Sequence, residues 1–182
     1  MRRLGYEPPM EEVVIPPGHR VGGATSEAYK DYRAGLDSAC ADIILTTRLP
    51  DGRAAVISTK RGPGKLCAGM WWMQGGAVHS YRPYHEFLAE RAAAECGAPA
   101  DAIVVEALVG VYRTCASDFF GSTTNLCFVG YVDFDKIKSA YHDADHVDQR
   151  LLTLEDLSML PKVERHWYFT RIAELALTTM PD

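Results

Sequence analysis

Residues 71–97 read WWMQGGAVHSYRPYHEFLAERAAAECG, and this stretch decides the fold. The apolar residues at its start indicate a strand, and Gly75 and Gly76 after them indicate a turn. Pro83 suits the first turn of a helix, and Gly97 suits the position just after its end. The stretch therefore predicts a strand, a double-glycine turn and a short helix that ends on glycine.

This stretch resembles the Nudix box, whose pattern is G-x5-E-x7-R-E-U-x-E-E-x-G-U, with U a bulky apolar residue. When its last glycine is set on Gly97, its first falls on Gly76 without a gap. The polar positions are filled differently, and their occupants are Arg82, Glu90, Arg91 and Ala94. Among the acids only Glu95 matches, so the box is degenerate.

The spacing of the box acids has a mechanical reason. Residues at i, i+3 and i+4 lie on one helical face, where carboxylates can hold Mg²⁺ by hard oxygen ligands. Here that face carries Arg91, Ala94 and Glu95. Metal binding by three box carboxylates is therefore not expected, and Arg91 and Glu95 could instead form an ordinary i,i+4 ion pair.

Composition restricts the function classes. A chain of 182 residues predicts one domain with a proper core, and a net charge of −5 argues against nucleic-acid binding. Five cysteines, an odd number without C-x-x-C, indicate neither a disulfide framework nor a zinc site. Because no signal peptide or apolar membrane span is visible, we expect a cytoplasmic protein with no membrane contact.

The order of elements predicts an α+β fold. Strands are expected over residues 40–48, 54–60, 103–115 and 123–134, with a final helix over 164–177. Strands, box helix, strands and final helix fit a Nudix-type α/β/α sandwich with a mixed β-sheet between helices. The Pro-rich residues 1–24 are expected to form an extended arm, and residues 25–182 a single Nudix-like domain.

The resemblance extends to most of residues 38–177 and, within the superfamily, is greatest to GDP-mannose mannosyl hydrolases. Segments that carry it include TKRGPGKLCAGMWWMQGGAV, STTNLCFVGYVDF and DADHVDQRLLTLEDL. Those enzymes cleave at the sugar carbon and release sugar and GDP. The resemblance implies a Mg²⁺ or Mn²⁺ ion held by a carbonyl of Gly75 or Gly76, by Glu95 and by Asp145.

The resemblance also implies roles in catalysis and substrate binding. His146 matches the general base, since an imidazole titrates near neutrality. Arg61, or Lys60 if the gap is placed differently, matches a phosphate-contacting arginine, and Asp42 matches a substrate contact. Arg91 and Arg113 are further candidates for anion binding. Several leaving-group contacts of the family are replaced here, by Ala77, Glu90, Thr114 and Leu126.

Ordinary structural explanations exist for several of these residues. His146 lies in the acidic segment HDADHVDQR, interpreted as a loop before the strand LLTL, and could be a solvated loop residue. Arg113 could lie on an exposed strand face. Trp71 and Trp72 alternate in direction, so one should be core and the other free to stack on a base or sugar.

Three functions follow from these residues. The first is a Mg²⁺-dependent hydrolase of a nucleoside-diphosphate sugar or a related nucleoside-diphosphate derivative, with water activated by His146. The second is a Nudix pyrophosphohydrolase that splits P–O–P. The third is a non-hydrolytic nucleotide-binding module, which the missing box acids would suit. The resemblance further implies a homodimer, with the N-terminal arm as a possible clasp.

Overall fold

The computed structural model describes residues 38–63, 65, 67–78, 83–116, 121–138 and 143–180, with the backbone alone at 38, 113–116 and 121–123. The arm predicted over residues 1–24 lies outside this part of the chain. Within it, none of the helices is long and apolar enough to cross a membrane.

A mixed sheet forms the centre of the molecule. In the described residues its strands are β1 (Ser38–Arg48), β2 (Ala54–Arg61), β3 (Trp71–Trp72), β4 (Gln74–Ala77), β5 (Val104–Ala116), β6 (Gly121–Tyr131) and β7 (His146–Leu152). The main path runs β3-β2-β1-β6-β5, while β4 pairs with β1 and β7 pairs with β2. The β1–β6 pair is parallel, and the other pairs are antiparallel.

Helices cover both faces of this sheet. They are α1 (Tyr84–Cys96), α2 (Leu154–Met159) and α3 (Trp167–Thr179). Because side chains alternate along β1, Ile43 packs with Leu88 of α1, whereas Ile44 packs with Ile172 of α3. The predicted sandwich with a mixed sheet between helices is thus confirmed.

Local signals mark the ends of the three helices. The helix α1, which is the helix of the box-like stretch and is called the box helix below, is followed by Gly97. The left-handed φ of 74° at Gly97 ends the helix, and the Gly97 N–H donates to the Ala93 carbonyl. The helix α2 was not predicted, although Thr153 and Asp156 form a capping box at its start. The helix α3 begins at Trp167 instead of residue 164, because residues 162–164 form a separate 3₁₀ turn.

The strand β7 corrects the interpretation of the HDADHVDQR segment. His146 is the first residue of this strand instead of part of a loop, and it pairs with Arg61 at the end of β2. Gln149 on β7 donates to the carbonyl of Cys96 at 2.8 Å, which ties the strand to the C-terminal end of α1. The sheet therefore places His146 beside the last turn of the box helix.

Candidate active site

The double-glycine turn lies against β1 and α1. Gly75 pairs with Asp42 and has a φ of +146°, a conformation that favours glycine. A Cβ at Gly75 would contact the Ala41 carbonyl and lie 2.5 Å from Asp42 Oδ1. The backbone N–H of Gly75 donates to Glu95 Oε2 at 3.1 Å. Glycine is therefore required for the close approach of this turn to both neighbours.

Glu95 and Arg91 form the ion pair that the helix spacing allowed. Arg91 Nε lies 2.6 Å from Glu95 Oε1 and donates to the Gly75 carbonyl at 3.2 Å. The Glu95 side chain is 2% exposed, and the Arg91 side chain is 42% exposed. Burial raises the pKa of Glu95 to about 7, although the charge of Arg91 and the hydrogen bond from the Gly75 N–H both lower it.

His146 is held by an acid that the sequence analysis did not single out. Its Nδ1 lies 2.6 Å from Asp143 Oδ1, and its side chain is 6% exposed. The same Asp143 oxygen accepts from the Asp145 backbone N–H at 2.9 Å, which fixes the turn. Burial lowers the pKa of His146, partly offset by the hydrogen bond to Asp143, so the imidazole is neutral at neutral pH.

Asp145 is paired with a lysine. Lys65 Nζ lies 2.6 Å from Asp145 Oδ1, and this hydrogen bond lowers the pKa of Asp145. In the ranges that the structure describes, no group of three or more His, Cys, Asp or Glu side chains is placed to hold a metal ion. The predicted ligands Glu95 and Asp145 are each engaged by a cation instead.

Arg61, at the end of β2, pairs with His146 on one side and lies over Trp72 on the other. Its guanidinium stands 5.2 Å over the ring of Trp72. Its positive charge lowers the pKa values of Asp42, Glu95 and His146, as a minor contribution in each case. Among the residues described, its Nε is buried without a hydrogen-bond partner. A buried donor without a partner is costly, which favours a bound group beside it that would complete the site.

Asp42 is the buried carboxyl on the opposite side of β1 from α1. It is 5% exposed, and Tyr168 Oη donates to its Oδ2 at 2.8 Å. Burial raises the pKa of Asp42 to about 6, although the Tyr168 hydrogen bond and the charge of Arg61 both lower it. Asp42 pairs with Gly75 on β4 and accepts the Tyr168 hydrogen bond, and its contact with a substrate stays a prediction.

A row of aromatic rings leads away from Arg61. The Trp72 ring lies 5.0 Å from the His166 ring, which lies 5.8 Å from Trp167. Trp167 in turn meets Tyr112 edge-on at 6.5 Å. Trp71 is fully buried and Trp72 is half-buried, so one indole belongs to the core as expected, and stacking of the other on a base or sugar stays a prediction.

The row ends at a cavity between β5 and α3. Its volume is about 590 Å³, and its lining consists of Tyr112, Lys162, Arg165, Trp167, Thr170, Arg171 and Glu174. Three cationic side chains and one acid line it, although the whole chain is acidic. The combination of aromatic and cationic walls suits a flat, anionic ligand.

The structure brings some of the predicted site residues into contact and places the others separately. Gly75, Glu95 and Arg91 contact one another, and His146 pairs with Arg61 across two strands. Asp145 lies on the turn before β7, where its carbonyl accepts from Gly62 at 2.9 Å. Gly76 lies under Arg91, and a Cβ there would be 3.8 Å from Arg91 Nη2. Arg113 is on β5, and its side chain lies outside the described residues.

The sequence reasoning missed Asp143, Tyr168 and the cavity at Trp167. Asp143 precedes His146 by three residues, so an acid within one turn of a candidate base was the available signal. Tyr168 is 126 residues from Asp42, and no local pattern links the two.

The solved structures similar to this chain include several Nudix proteins. A Nudix hydrolase from M. smegmatis, RenU, is 20% identical and matches over 80% of this chain and 89% of its own, with a TM-score of 0.63. A Nudix-family hydrolase from Clostridium perfringens is 10% identical over 79% and 97%, with a TM-score of 0.62. The NUDIX domain of Shewanella oneidensis NrtR, complexed with ADP ribose, is 16% identical over 78% and 89%, with a TM-score of 0.60.

These likenesses establish the fold. The sequence matches no protein-family model and no curated protein. The chain has the Nudix fold, which confirms the fold predicted from the spacing of residues 76–97.

Proposed function

We propose that the protein is a hydrolase of a nucleoside-diphosphate sugar or a related nucleoside-diphosphate derivative, with His146 as the general base. The observation that carries this proposal is the Asp143–His146 pair next to Arg61, whose buried Nε lacks a partner among the described residues. A base and an anion-binding group therefore stand on adjacent strands at one end of the box helix.

The Asp143–His146 pair suits water activation. A carboxylate only accepts hydrogen bonds, so Nδ1 of His146 donates to Asp143 and Nε2 keeps its lone pair. Burial keeps the ring neutral before reaction, and Asp143 stabilises the imidazolium once a proton has been taken up. Water that loses its proton to Nε2 attacks the sugar carbon bonded to the diphosphate. The bond between that carbon and the phosphate oxygen breaks, and the nucleoside diphosphate leaves with the bonding electrons.

The departing group would be a diphosphate bound by cationic side chains. Arg61 presents a planar guanidinium that can bind two phosphate oxygens at once. Stabilisation of the negative charge that develops on the leaving group lowers the barrier to bond cleavage. Arg113, the residue after Tyr112 on β5, stays a proposed further contact with the anionic substrate.

The cavity between β5 and α3 would receive the nucleoside. Trp167 is 59% exposed and offers a stacking surface, and Arg165 and Arg171 carry the opposite charge to a nucleotide. ADP ribose, the compound in the NrtR structure, belongs to the class of nucleoside-diphosphate derivatives proposed here.

The residues expected to hold Mg²⁺ or Mn²⁺ do not fit such an ion as they are placed. Both oxygens of Glu95 and the carbonyl of Gly75 already have hydrogen-bond partners, and Arg91 is one of those partners in two cases. Asp145 is paired with Lys65. No step of the proposed reaction is therefore assigned to a metal.

Two other functions compete with this one. A pyrophosphohydrolase would use the same base and split P–O–P, giving a nucleoside monophosphate. A non-hydrolytic nucleotide-binding module is favoured by one observation, the Arg91–Glu95 pair on the only matching box acid. A binding module needs no carboxylate free for metal, and it would bind nucleotide without turnover.

The deciding experiment is a turnover assay over nucleoside-diphosphate sugars, dinucleotides and nucleoside triphosphates, with and without divalent metal, and with products identified by mass. His146→Ala tests the base, and His85→Ala, an exposed histidine on α1, is the matched control. Sugar plus nucleoside diphosphate, lost only in His146→Ala, supports the proposal. Monophosphate products favour the pyrophosphohydrolase, and tight binding without turnover favours the binding module.

A further inference from the structure

Arg91 occupies the position from which a metal ion would reach two of its predicted ligands. Its Nε lies 2.6 Å from Glu95 Oε1 and 3.2 Å from the Gly75 carbonyl oxygen. Hard cations bind such carboxylate and carbonyl oxygens directly, and here a guanidinium makes both contacts. A metal ion on these oxygens would stand beside the guanidinium charge, and the like charges disfavour its binding.

We propose that the Arg91 guanidinium takes the place of the divalent cation and binds the diphosphate of the ligand directly. Diphosphate binding at this site then needs no metal. This inference rests on the proposed function only in taking a nucleoside diphosphate as the ligand class.

The geometry leaves one side of Arg91 available for the ligand. Glu95 is almost fully buried and holds Nε, whereas the Arg91 side chain is 42% exposed. Nη2 lies over Gly76, where even an added Cβ would remain 3.8 Å away. The terminal nitrogens thus extend past a residue without a side chain, in a fork that matches two phosphate oxygens.

The charges around Arg91 support the same assignment. Glu95 and the Gly75 carbonyl orient the guanidinium from the buried side, much as buried groups orient a catalytic side chain. Ala94 stands where the box has an acid, so the helix offers no second carboxylate there. Arg61 supplies a second guanidinium, and the two arginines bring the charge of one divalent ion.

The test uses two probes, Mn²⁺ alone and inorganic pyrophosphate in excess EDTA, measured by calorimetry on the full chain. Arg91→Met removes the charge but keeps the length. We expect wild-type protein to bind pyrophosphate in EDTA, and Arg91→Met to weaken this binding by about 10- to 100-fold, the range of charged hydrogen bonds. Arg53→Met, which affects an exposed hairpin pair, should leave binding unchanged.

The same substitution that weakens pyrophosphate binding should strengthen the binding of Mn²⁺. Removal of the guanidinium frees Glu95 Oε1 and the Gly75 carbonyl and removes a positive charge beside them, so Arg91→Met should bind Mn²⁺ at least about 10-fold more tightly than wild type. The double variant Arg91→Met with Glu95→Gln should lose that gain. Far-ultraviolet circular dichroism and a thermal melt confirm that each variant is folded.

Three results would overturn the inference: wild-type binding of pyrophosphate only with metal, unchanged pyrophosphate binding in Arg91→Met, or tighter Mn²⁺ binding in wild type than in the variant. The proposed hydrolase activity fails separately. A chain that turns over no substrate but binds pyrophosphate through Arg91 refutes the activity alone, and turnover that requires Mn²⁺ refutes the metal-free site alone.

Discussion

Replacement of Asp42 by Asn should change how stability depends on pH. Asp42 is 5% exposed, and its pKa in the folded protein is raised from 3.8 to about 6 by burial. A raised pKa means that the fold prefers the protonated carboxyl. The stability that the protonated Asp42 contributes is complete below about pH 3.8 and is lost as the pH rises through about 6.

The magnitude follows from the difference between the two pKa values. Each pKa unit corresponds to about 1.4 kcal/mol, so the ionised Asp42 costs about 3 kcal/mol at pH 8 relative to the protonated form. Asparagine stays neutral over this range, and its Oδ1 can still accept from Tyr168. The stability of Asp42→Asn relative to wild type should therefore rise by about 2–3 kcal/mol between pH 4 and pH 8, since part of the unfolded chain is already ionised at pH 4.

Urea unfolding at pH 4, 6 and 8 measures this difference, because all other titrating groups are common to both proteins. Asp51→Asn is the control, since Asp51 is exposed and its pKa is lowered by the Arg53 hydrogen bond, so its effect has the opposite sign. Parallel curves for wild type and Asp42→Asn would show that Asp42 titrates normally and would refute the reasoning.

Three other substitutions test the site and the core. Gly75→Ala should lower stability by about 1–3 kcal/mol because its Cβ would meet backbone and Asp42, whereas Gly69→Ala, with φ +79° and open space, should lose less in the same urea titrations. Asp143→Asn should reduce kcat by about 10-fold or more and shift the acidic limb of its pH profile to lower pH, since Asn cannot stabilise the imidazolium of His146; an unchanged profile would remove Asp143 from the mechanism. Ile172 is a fully buried residue of α3, and Ile172→Ala should lower the free energy of unfolding by about 2–5 kcal/mol in thermal or urea unfolding. A smaller loss would mean that neighbouring side chains fill the space left by the removed atoms.

The box helix was the easiest element to predict, because its signals are local. Pro83 and Gly97 mark its two ends by backbone preference alone, and the observed helix fills the interval between them. The capping box of Thr153 and Asp156 was an equally local signal for α2 and was overlooked. Both cases show that short-range chemistry fixes helix ends.

The site was harder to predict, because its contacts join distant parts of the chain. Helix spacing allowed the Arg91–Glu95 pair, but burial of Glu95 under the Gly75 turn depends on how β4 packs against β1. The Tyr168–Asp42 hydrogen bond likewise exists only because α3 crosses the sheet above β1. Patterns along one segment carry no information on such pairings.

The aromatic row has a spectroscopic consequence. Trp71 is fully buried with its indole N–H bonded to Glu164, whereas Trp167 stands 59% exposed at the cavity. Trp71 and Trp167 should therefore emit at different wavelengths, the buried one further to the blue, with the half-buried Trp72 between them. A ligand that enters the cavity would alter the red component most, so the chain carries both a fluorescent reporter of occupancy and an internal reference.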